Sequence, residues 1–252
     1  MLARLSILFF FFVYIYPLMS LREDVYNIFN TDGKILQIEY GLEAVNKSLP
    51  LVVLKNKNTI VCAAKKNHGN LLEDEVQTSF QPIYSNIYSA FTGNWPDVYT
   101  VNSKCKDLAY KASYKLGYSV TPDILCRQLA DNLQVLMQST GERSPAFAGT
   151  LFGFDNGKPI IYMTNISAVC YPVYGSMVGT KYQNMFKYVE KHYNEDVDDN
   201  KLFELAVGAL LESLGENSVY HEIEVAYLKN NEILKYLNDK EIETLLLSIA
   251  DK

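Results

Sequence analysis

A chain of 252 residues is long enough to bury one large hydrophobic core or two small ones. Its 48% hydrophobic and 21% charged residues are typical of a globular protein and exclude a disordered one. The net charge of −6 argues against broad electrostatic binding to nucleic acid, although it leaves room for a local basic patch. The four cysteines form no Cys-x-x-Cys motif, so free thiols in a reducing compartment are the simplest interpretation.

The first 18 residues differ in composition from the rest of the chain. Residues 5–18 are nearly all apolar and follow Arg4, an order that resembles the core of a signal peptide. The run is shorter than the roughly 20 residues of a membrane-spanning helix. Three interpretations stay open: a translation start placed too early, a membrane-targeting segment, or an apolar arm bound to a partner. We favour the first, because Met19-Ser-Leu-Arg22 would be an ordinary cytosolic beginning, and we expect residues 19–252 to form one domain.

A tight turn followed by a short amphipathic helix is predicted for residues 29–45. Asp32-Gly33 supplies the turn, because glycine adopts positive φ at little cost. Glu39, Tyr40 and Glu43 lie beside the apolar stripe of the helix and are available to a partner. The stripe itself consists of four residues with helical spacing over about three turns: Ile35, Ile38, Leu42 and Val45.

Strand-length apolar runs and helix-length periodic segments alternate along the rest of the chain. In chain order we expect paired strands at 51–54 and 59–64, two short strands within 83–91, helices at 96–116 and from Thr121 onward, a hairpin at 148–163, a strand region at 169–178, helices at 180–193 and 200–214, a late hairpin from strands 222–228 and 232–236, and a final helix from Asn238. No repeat or linker divides residues 20–252, and this order of elements fits a layered α+β domain.

Several of these boundaries depend on local signals. Turns are expected at Ser85-Asn86 and at Asp155-Asn-Gly157, and Gly117 closes a helix. Thr121-Pro122-Asp123 starts the next helix with a capping hydroxyl and a proline in the first turn, and Asn238 to Glu241 is similar to a capping box.

Catalytic and metal-binding patterns are weak in this sequence. His68, His192 and His221 are scattered without ligand spacing, and we interpret them as loop or helix-end residues. The acidic run 195–199 is interpreted as a solvated loop between helices rather than a cation site. Because no nucleotide-binding loop or serine-hydrolase motif occurs, we expect no metal, no cofactor and no catalytic residue.

The segment 29–44 reads Phe-Asn-Thr-Asp-Gly-Lys-Ile-Leu-Gln-Ile-Glu-Tyr-Gly-Leu-Glu-Ala, and it resembles the N-terminal signature of proteasome alpha subunits. Residues 115–131, and then 222–228 followed by 237–243, extend the resemblance toward the C-terminus and are most similar to the type-6 branch of that family. The resemblance covers roughly residues 22–250. It implies the four-layer αββα sandwich of N-terminal-nucleophile hydrolases.

The resemblance also implies that this member is not catalytic. Active members use an N-terminal Thr, Ser or Cys at the start of the first strand, with its own amine as the base. In this chain the predicted helix precedes that strand, Thr59 is internal, and Lys65 follows Ala63-Ala64 where active members have a carboxylate. Two alternatives remain: a self-processing N-terminal-nucleophile hydrolase, and a membrane-anchored protein that uses residues 5–18.

Interaction surfaces are what the resemblance implies instead. Family members form a seven-membered alpha ring, in which the helix 37–45 faces the beta ring and neighbouring alpha subunits, and the leader before it forms the gate of the pore. The resemblance thus implies an N-terminal gate segment and helix over residues 19–48. The residues expected at this ring or gate interface are Phe29, Asp32, Gly33, Gln37, Glu39, Tyr40 and Glu43. The implied partners are alpha and beta subunits, activator particles and unfolded polypeptide substrate; neither nucleic acid nor a membrane is expected as a partner. The implied process is ATP- and ubiquitin-dependent protein degradation, in the cytoplasm and nucleus.

Four positions depart from the family pattern. Leu21-Arg-Glu-Asp24 replaces a Tyr-Asp or Phe-Asp pair, and Asn30-Thr31 replaces the Ser-Pro of the pore turn. Thr78 lies near a position that often holds a lysine for activator tails, so we expect no lysine from this chain there. The family's Arg-Pro-x-Gly is loosened to residues 143–149.

Overall fold

The computed structural model of the chain describes residues 29–66, 78–139, 142–215 and 220–250. The predictions for the apolar segment 5–18 and for His68 lie outside these ranges. Residues 19–28 of the predicted gate segment, with the domain boundary at residue 19, also lie outside them.

Within these ranges the chain forms six α-helices and ten strands. Their bounds in chain order are α1 Leu36–Asn46, β1 Leu51–Lys55, β2 Thr59–Lys65, β3 Phe80–Tyr84, β4 Ile87–Gly93, α2 Trp95–Leu116, α3 Pro122–Met137, β5 Phe147–Asp155, β6 Lys158–Asn165, β7 Tyr171–Pro172, β8 Gly175–Val178, α4 Tyr182–His192, α5 Asp199–Leu214, β9 Ile223–Lys229, β10 Lys235–Tyr236 and α6 Asp239–Ala250. A short 3-10 turn, Tyr220–Glu222, precedes β9.

The described strands form two antiparallel sheets of five strands each. The first sheet has the order β10-β9-β2-β1-β8, and the second has the order β3-β4-β5-β6-β7. In the first sheet, Cys62 of the central β2 pairs with Val53 on one side and with Ala226 on the other. In the second sheet, the β5–β6 hairpin closes with Asp155 opposite Lys158, as the Asp-Asn-Gly turn predicts.

The alternation of side chains along each strand builds a four-layer α+β sandwich. Val52 and Leu54 of β1 face α4 and α5, whereas Leu51 and Val53 face the second sheet. On the other side, Phe91 and the outward residues of the second sheet pack against α2 and α3. Because successive residues of a strand point to opposite faces, each sheet is buried on both sides, and the predicted αββα architecture is confirmed.

Gly149 permits the close pairing of β4 and β5 in the second sheet. Its φ is +152°, and a Cβ at this position would overlap the carbonyl oxygen of Ala90 on the neighbouring strand. A backbone atom cannot move aside as a flexible side chain can, so only glycine fits here.

Some predicted boundaries were wrong in informative ways. The strand region 169–178 divides into β7 and β8, which lie in different sheets, because the chain crosses from one sheet to the other between Pro172 and Gly175. Thr121 precedes α3 as predicted, but its hydroxyl donates to the Asp123 carboxylate and makes no capping bond to the backbone. The second strand of the late hairpin is only two residues long, Lys235–Tyr236.

The capping box at the last helix is confirmed. The backbone N–H of Asn238 donates to Glu241 Oε2 at 2.7 Å, and α6 begins at Asp239.

Candidate functional site

The turn that precedes α1 is held by one side chain. The side-chain carbonyl of Asn30 accepts the backbone N–H groups of Asp32 and Lys34, each at 2.9 Å. Gly33 has a φ of +72°, the left-handed conformation that glycine adopts without strain. Phe29 stands at the start of this turn and is 72% exposed. The turn therefore presents an apolar ring to the outside although its backbone is fixed.

Helix α1 docks onto the sandwich through a small-residue contact. Ile38 and Val45 of the predicted stripe are buried, whereas Ile35 and Leu42 are half-buried, and Gly41, which the stripe did not include, is buried as well. A Cβ on Gly41 would collide with Cδ1 of Ile166, which follows β6. The missing side chain of Gly41 thus lets the helix approach the body of the protein closely.

The opposite side of α1 carries three of the seven predicted interface residues. Tyr40 is 61% exposed, and Glu39 and Glu43 are exposed next to it. Lys34 lies 3.7 Å from Glu39, and Lys47 lies 3.2 Å from Glu43. Ion pairs this exposed contribute little to stability, so they leave both carboxylates able to exchange partners.

The remaining predicted interface residues are distributed around this face. Asp32 and Gly33 lie exposed in the turn, and Gln37 is half-buried at the edge of the docked side. The side-chain oxygen of Gln37 is buried and has no hydrogen-bond partner within the described ranges. The structure therefore brings the seven residues to one end of the molecule, and their contact with other chains stays a prediction.

Hydroxyl groups fasten the connection between α1 and β1. The hydroxyls of Ser48 and Thr92 are 2.9 Å apart, and Thr92 donates to the Leu49 carbonyl at 2.8 Å. Thr180 donates its hydroxyl to the Ser48 carbonyl at 2.6 Å. Thr92 lies in β4 of the second sheet, and Thr180 comes two residues after β8 of the first sheet. These hydrogen bonds therefore tie the connection to both sheets.

The place at which an active family member would hold its nucleophile is occupied by an internal leucine. β1 begins at Leu51, which is 1% exposed, and the preceding Pro50 accepts a hydrogen bond from the backbone of Lys65 at 3.1 Å. The side chain of Lys65 pairs with Glu222 at 3.2 Å. Thr59, the first residue of β2, lies within the chain and is fully buried. Among the described residues, this end of the strand therefore presents a buried leucine in mid-chain, and the carboxylate nearest to Lys65, that of Glu222, is paired with its ammonium.

Thr78 lines a cavity of about 770 Å³ that β3, β9, β10 and α6 border. Its hydroxyl donates to Oε1 of Glu224 and lies 3.4 Å from the hydroxyl of Tyr236. Burial raises the pKa of Glu224, while the hydrogen bond from Thr78 and the charge of Lys66 oppose that rise. A lysine does line this cavity, but it is Lys66 and not residue 78.

Sequence reasoning missed Glu224, although a signal was present. It is the one charged residue between Ile223 and Leu228 in an apolar strand, and it is 5% exposed. A charge at an inward position of a buried strand requires a partner, and nothing in the sequence identified Thr78 as that partner.

A second polar contact that sequence reasoning missed joins Asp97 to Arg143. The guanidinium donates to both carboxylate oxygens at 2.6 and 2.7 Å, and the backbone N–H of Ala146 donates to Asp97 at 2.8 Å. The Arg143 hydrogen bonds hold the pKa of Asp97 below its usual value. The loosened segment 143–149 thus fixes the start of α2 through a bidentate pair.

The acidic run 195–199 is not wholly solvated, which corrects its interpretation. Asp199 accepts a hydrogen bond from Asn56 at 2.8 Å and pairs with Lys229 at 3.0 Å, and Asp196 pairs with Lys57. Glu195 is exposed. The run fastens α5 to the β1–β2 turn.

The two described histidines lie where they were expected. His192 is the last residue of α4, and its Nδ1 lies 2.9 Å from the Tyr188 carbonyl. His221 lies in the 3-10 turn, 3.4 Å from Asp239. Among the residues that the structure describes, no three His, Cys, Asp or Glu side chains converge as metal ligands, and no helix is long and apolar enough to cross a membrane.

Comparisons with known proteins agree with this geometry. The family model described as "Proteasome subunit" matches residues 45–228. A proteasome subunit alpha type-7-like protein of Macaca fascicularis is 29% identical over 239 residues, which cover 92% of this chain and 94% of that protein. Proteasome subunit alpha type-8 of Mus musculus is 29% identical over 233 residues, which cover 89% of this chain and 91% of that protein.

Proposed function

This chain belongs to the proteasome subunit family, and we propose that it is a structural alpha-ring subunit of the 20S proteasome core. The observation that carries this proposal is the order of elements at the amino-terminal side. Helix α1 precedes β1, so the first strand begins at the buried Leu51 and not at a free amine. Nucleophilic catalysis of the family type requires that free amine as the base.

The absence of catalytic chemistry in this subunit is part of the proposal. Lys65 ends β2, close to the start of β1, and its ammonium is engaged by Glu222. A lysine in that place supplies no carboxylate to orient an attacking hydroxyl. Proteolysis would therefore be carried out by other subunits of the assembly.

The exposed side of α1 is the proposed contact with the beta ring and with neighbouring alpha subunits. Phe29, Tyr40 and the two glutamates offer apolar area and charge that the chain itself does not bury. A heterologous contact repeated around a closing rotation builds a ring. The residues before Phe29 would then contribute to the substrate gate, with unfolded polypeptide passing through the pore in ATP- and ubiquitin-dependent degradation in the cytoplasm and nucleus.

Within the ring, we propose the type-6 position. The support is the similarity of residues 115–131, 222–228 and 237–243 to type-6 members. The two relatives named above, in contrast, are a type-7-like and a type-8 protein. The neighbours of the chain in the assembled ring decide between these positions, because each position in a heteromeric ring has its own pair of neighbours.

Activator docking would use Lys66 in this subunit. Lys66 lines the cavity that also contains Thr78, whereas the Thr78 hydroxyl is engaged by the buried carboxylate of Glu224. The carboxylate of an activator tail would be attracted by the Lys66 ammonium and repelled by a charged Glu224, so we expect it to pair with Lys66. Lys66 is the described cation that lines this cavity.

Purification of the tagged chain from its native source tests the proposal. We expect other alpha and beta subunits to co-elute, and native mass spectrometry with cross-linking gives the two ring neighbours. An electrophilic probe that acylates N-terminal threonine should label beta subunits and leave this chain unlabelled. Elution of the chain as a monomer, or a probe bonded to its first residue, would overturn the proposal.

A further inference from the structure

A second cavity, of about 610 Å³, lies between the end of β1 in the first sheet and the start of β6 in the second. Among the described residues, three lysines from two hairpins line it: Lys55 at the end of β1, Lys57 in the β1–β2 turn and Lys158 at the start of β6. Tyr174 and Pro172 form part of its wall. We call it the lysine cavity, and the function proposed above uses none of these side chains.

Lys55 is held in a single position by its side chain and its backbone. Its ammonium donates to the Pro159 carbonyl at 3.0 Å and lies 5.4 Å from the ring centroid of Tyr174. Its backbone N–H donates to the Tyr174 carbonyl at 3.0 Å, and its carbonyl accepts the Tyr193 hydroxyl at 2.6 Å. An ammonium has three donors, and within the described ranges a hydrogen bond engages only one of them.

The charges around the lysine cavity do not cancel. Of the described residues, three lysines and one carboxylate, Glu195, line it. Outside the lining, Lys57 pairs with Asp196, and Asp155 lies opposite Lys158 in the β5–β6 hairpin. Lys158 is exposed and has no ion pair within the described part of the chain. Burial lowers the pKa of Lys55, and Glu195 opposes that shift. The side chains that line the cavity therefore carry more positive than negative charge, although the whole protein has a net charge of −6.

We propose that the lysine cavity binds the carboxylate of an acidic peptide segment on a protein partner, with Lys55 and Lys158 as its cations. The volume is much larger than a single inorganic anion needs, and Tyr174 and Pro172 offer apolar contact to the rest of a peptide. A nucleic acid is the weaker match, because the net charge of the whole protein repels a phosphate backbone. This binding does not depend on assembly into a ring.

Residue-level footprinting of the full-length chain tests the site. A limiting N-hydroxysuccinimide ester acylates lysines, and mass spectrometry measures the rate at each one, with acetylated tetraglutamate, acetylated tetraserine or inorganic phosphate present. We expect tetraglutamate to slow acylation of Lys55 and Lys158 by about threefold or more, as a charge-assisted hydrogen bond would. The exposed Lys104 on α2 should react at the same rate throughout.

Each other outcome counts against the site. Equal protection by phosphate would show a general anion site, equal slowing at Lys104 would show non-specific binding, and an unreactive Lys55 would show that the cavity is covered; any of these overturns the proposal. Protection at Lys55 and Lys158 by tetraglutamate alone supports it.

A pair of charge-matched variants provides an independent readout. Fluorescence polarisation of labelled tetraglutamate should show about tenfold weaker binding to Lys158→Gln and unchanged binding to Lys104→Gln, since one charge-assisted hydrogen bond is lost only in the first. Both lysines are exposed, so both variants should melt at the wild-type temperature. Equal affinities of the two variants would overturn the proposal, whether or not the chain assembles into a proteasome.

Discussion

In the signature segment, residues 29–46, Phe29 and Tyr40 are 72% and 61% exposed, whereas all residues from Leu51 to Leu54 and from Thr59 to Ala64 are buried. The two regions are adjacent in the chain. Because both faces of these strands are buried, nearly every position holds an apolar residue, and burial of these side chains stabilises the pair. The signature segment keeps distinctive side chains that the chain itself does not bury. The buried strands therefore hold the fold together, and we propose that the exposed signature residues serve a contact outside this chain.

The strongest test of the buried region is Gly149→Ala. The new Cβ overlaps the Ala90 carbonyl, and relieving that overlap requires β4 and β5 to separate. We expect a loss of about 3 kcal/mol in the free energy of unfolding, which urea denaturation measures. Gly117→Ala is the matched control, because its Cβ meets no atom within 4 Å and its φ of +75° costs about 1 kcal/mol. Equal losses in both variants would contradict the close pairing of the strands.

A smaller loss is expected from Asp97→Asn, which breaks the ion pair at the start of α2. The side chain of Asp97 is 10% exposed and accepts three hydrogen bonds, so we expect a loss of about 2 kcal/mol at neutral pH. Asp107→Asn breaks a more exposed pair with Lys111 and should cost less than about 0.5 kcal/mol. Chemical denaturation of the two variants compares a buried carboxylate with a surface one.

The pH dependence of the Asp97 effect has a definite sign. Its pKa is lowered in the folded state, so its contribution is present above the ordinary value of 3.8 and is lost as the pH falls through the lower folded value. The difference in unfolding free energy between the wild type and Asp97→Asn should therefore be constant down to about pH 5 and shrink in more acidic solution. A difference that grows on acidification would contradict the ion pair.

Docking of α1 is tested by a double-mutant cycle. Gly41→Ala should cost about 1 kcal/mol, because the added Cβ meets Cδ1 of Ile166. Ile166→Val removes that carbon and should also cost about 1 kcal/mol. In the double variant the new methyl occupies the vacated space, and alanine is a better helix former than glycine by about 1 kcal/mol. We therefore expect the double variant to be as stable as the wild type, and additive losses would mean that the two residues do not touch.

The smallest effect on the chain itself is expected from Tyr40→Ala. Removing a largely exposed ring should change the unfolding free energy by less than about 0.5 kcal/mol. Assembly is where the loss should appear, as a reduced fraction of the chain in high-molecular-mass particles by native electrophoresis. Tyr118→Ala, with a ring that is 60% exposed outside the signature, should leave both quantities unchanged. A destabilised monomer with normal assembly would reverse the comparison between the two regions.

Local patterns in the sequence were sufficient for most elements of the fold. The β1–β2 pair, the long helices ended by Gly117 and started by Pro122, the Asp155-Asn-Gly157 hairpin and the Asn238–Glu241 capping box all follow from interactions between residues close in the chain. The resemblance of residues 29–44 supplied the family, and the match over residues 45–228 supports it.

By itself, then, the sequence determined which segments form strands and helices, because alternation, capping and turn chemistry act over a few residues. Only the tertiary structure decided that residues 171–178 cross between two sheets, that Asp97 meets Arg143, that Glu224 meets Thr78 and that three lysines converge at one end of the sandwich. These contacts join residues distant in the chain, and a single sequence carries no record of which distant side chains burial and pairing will bring together.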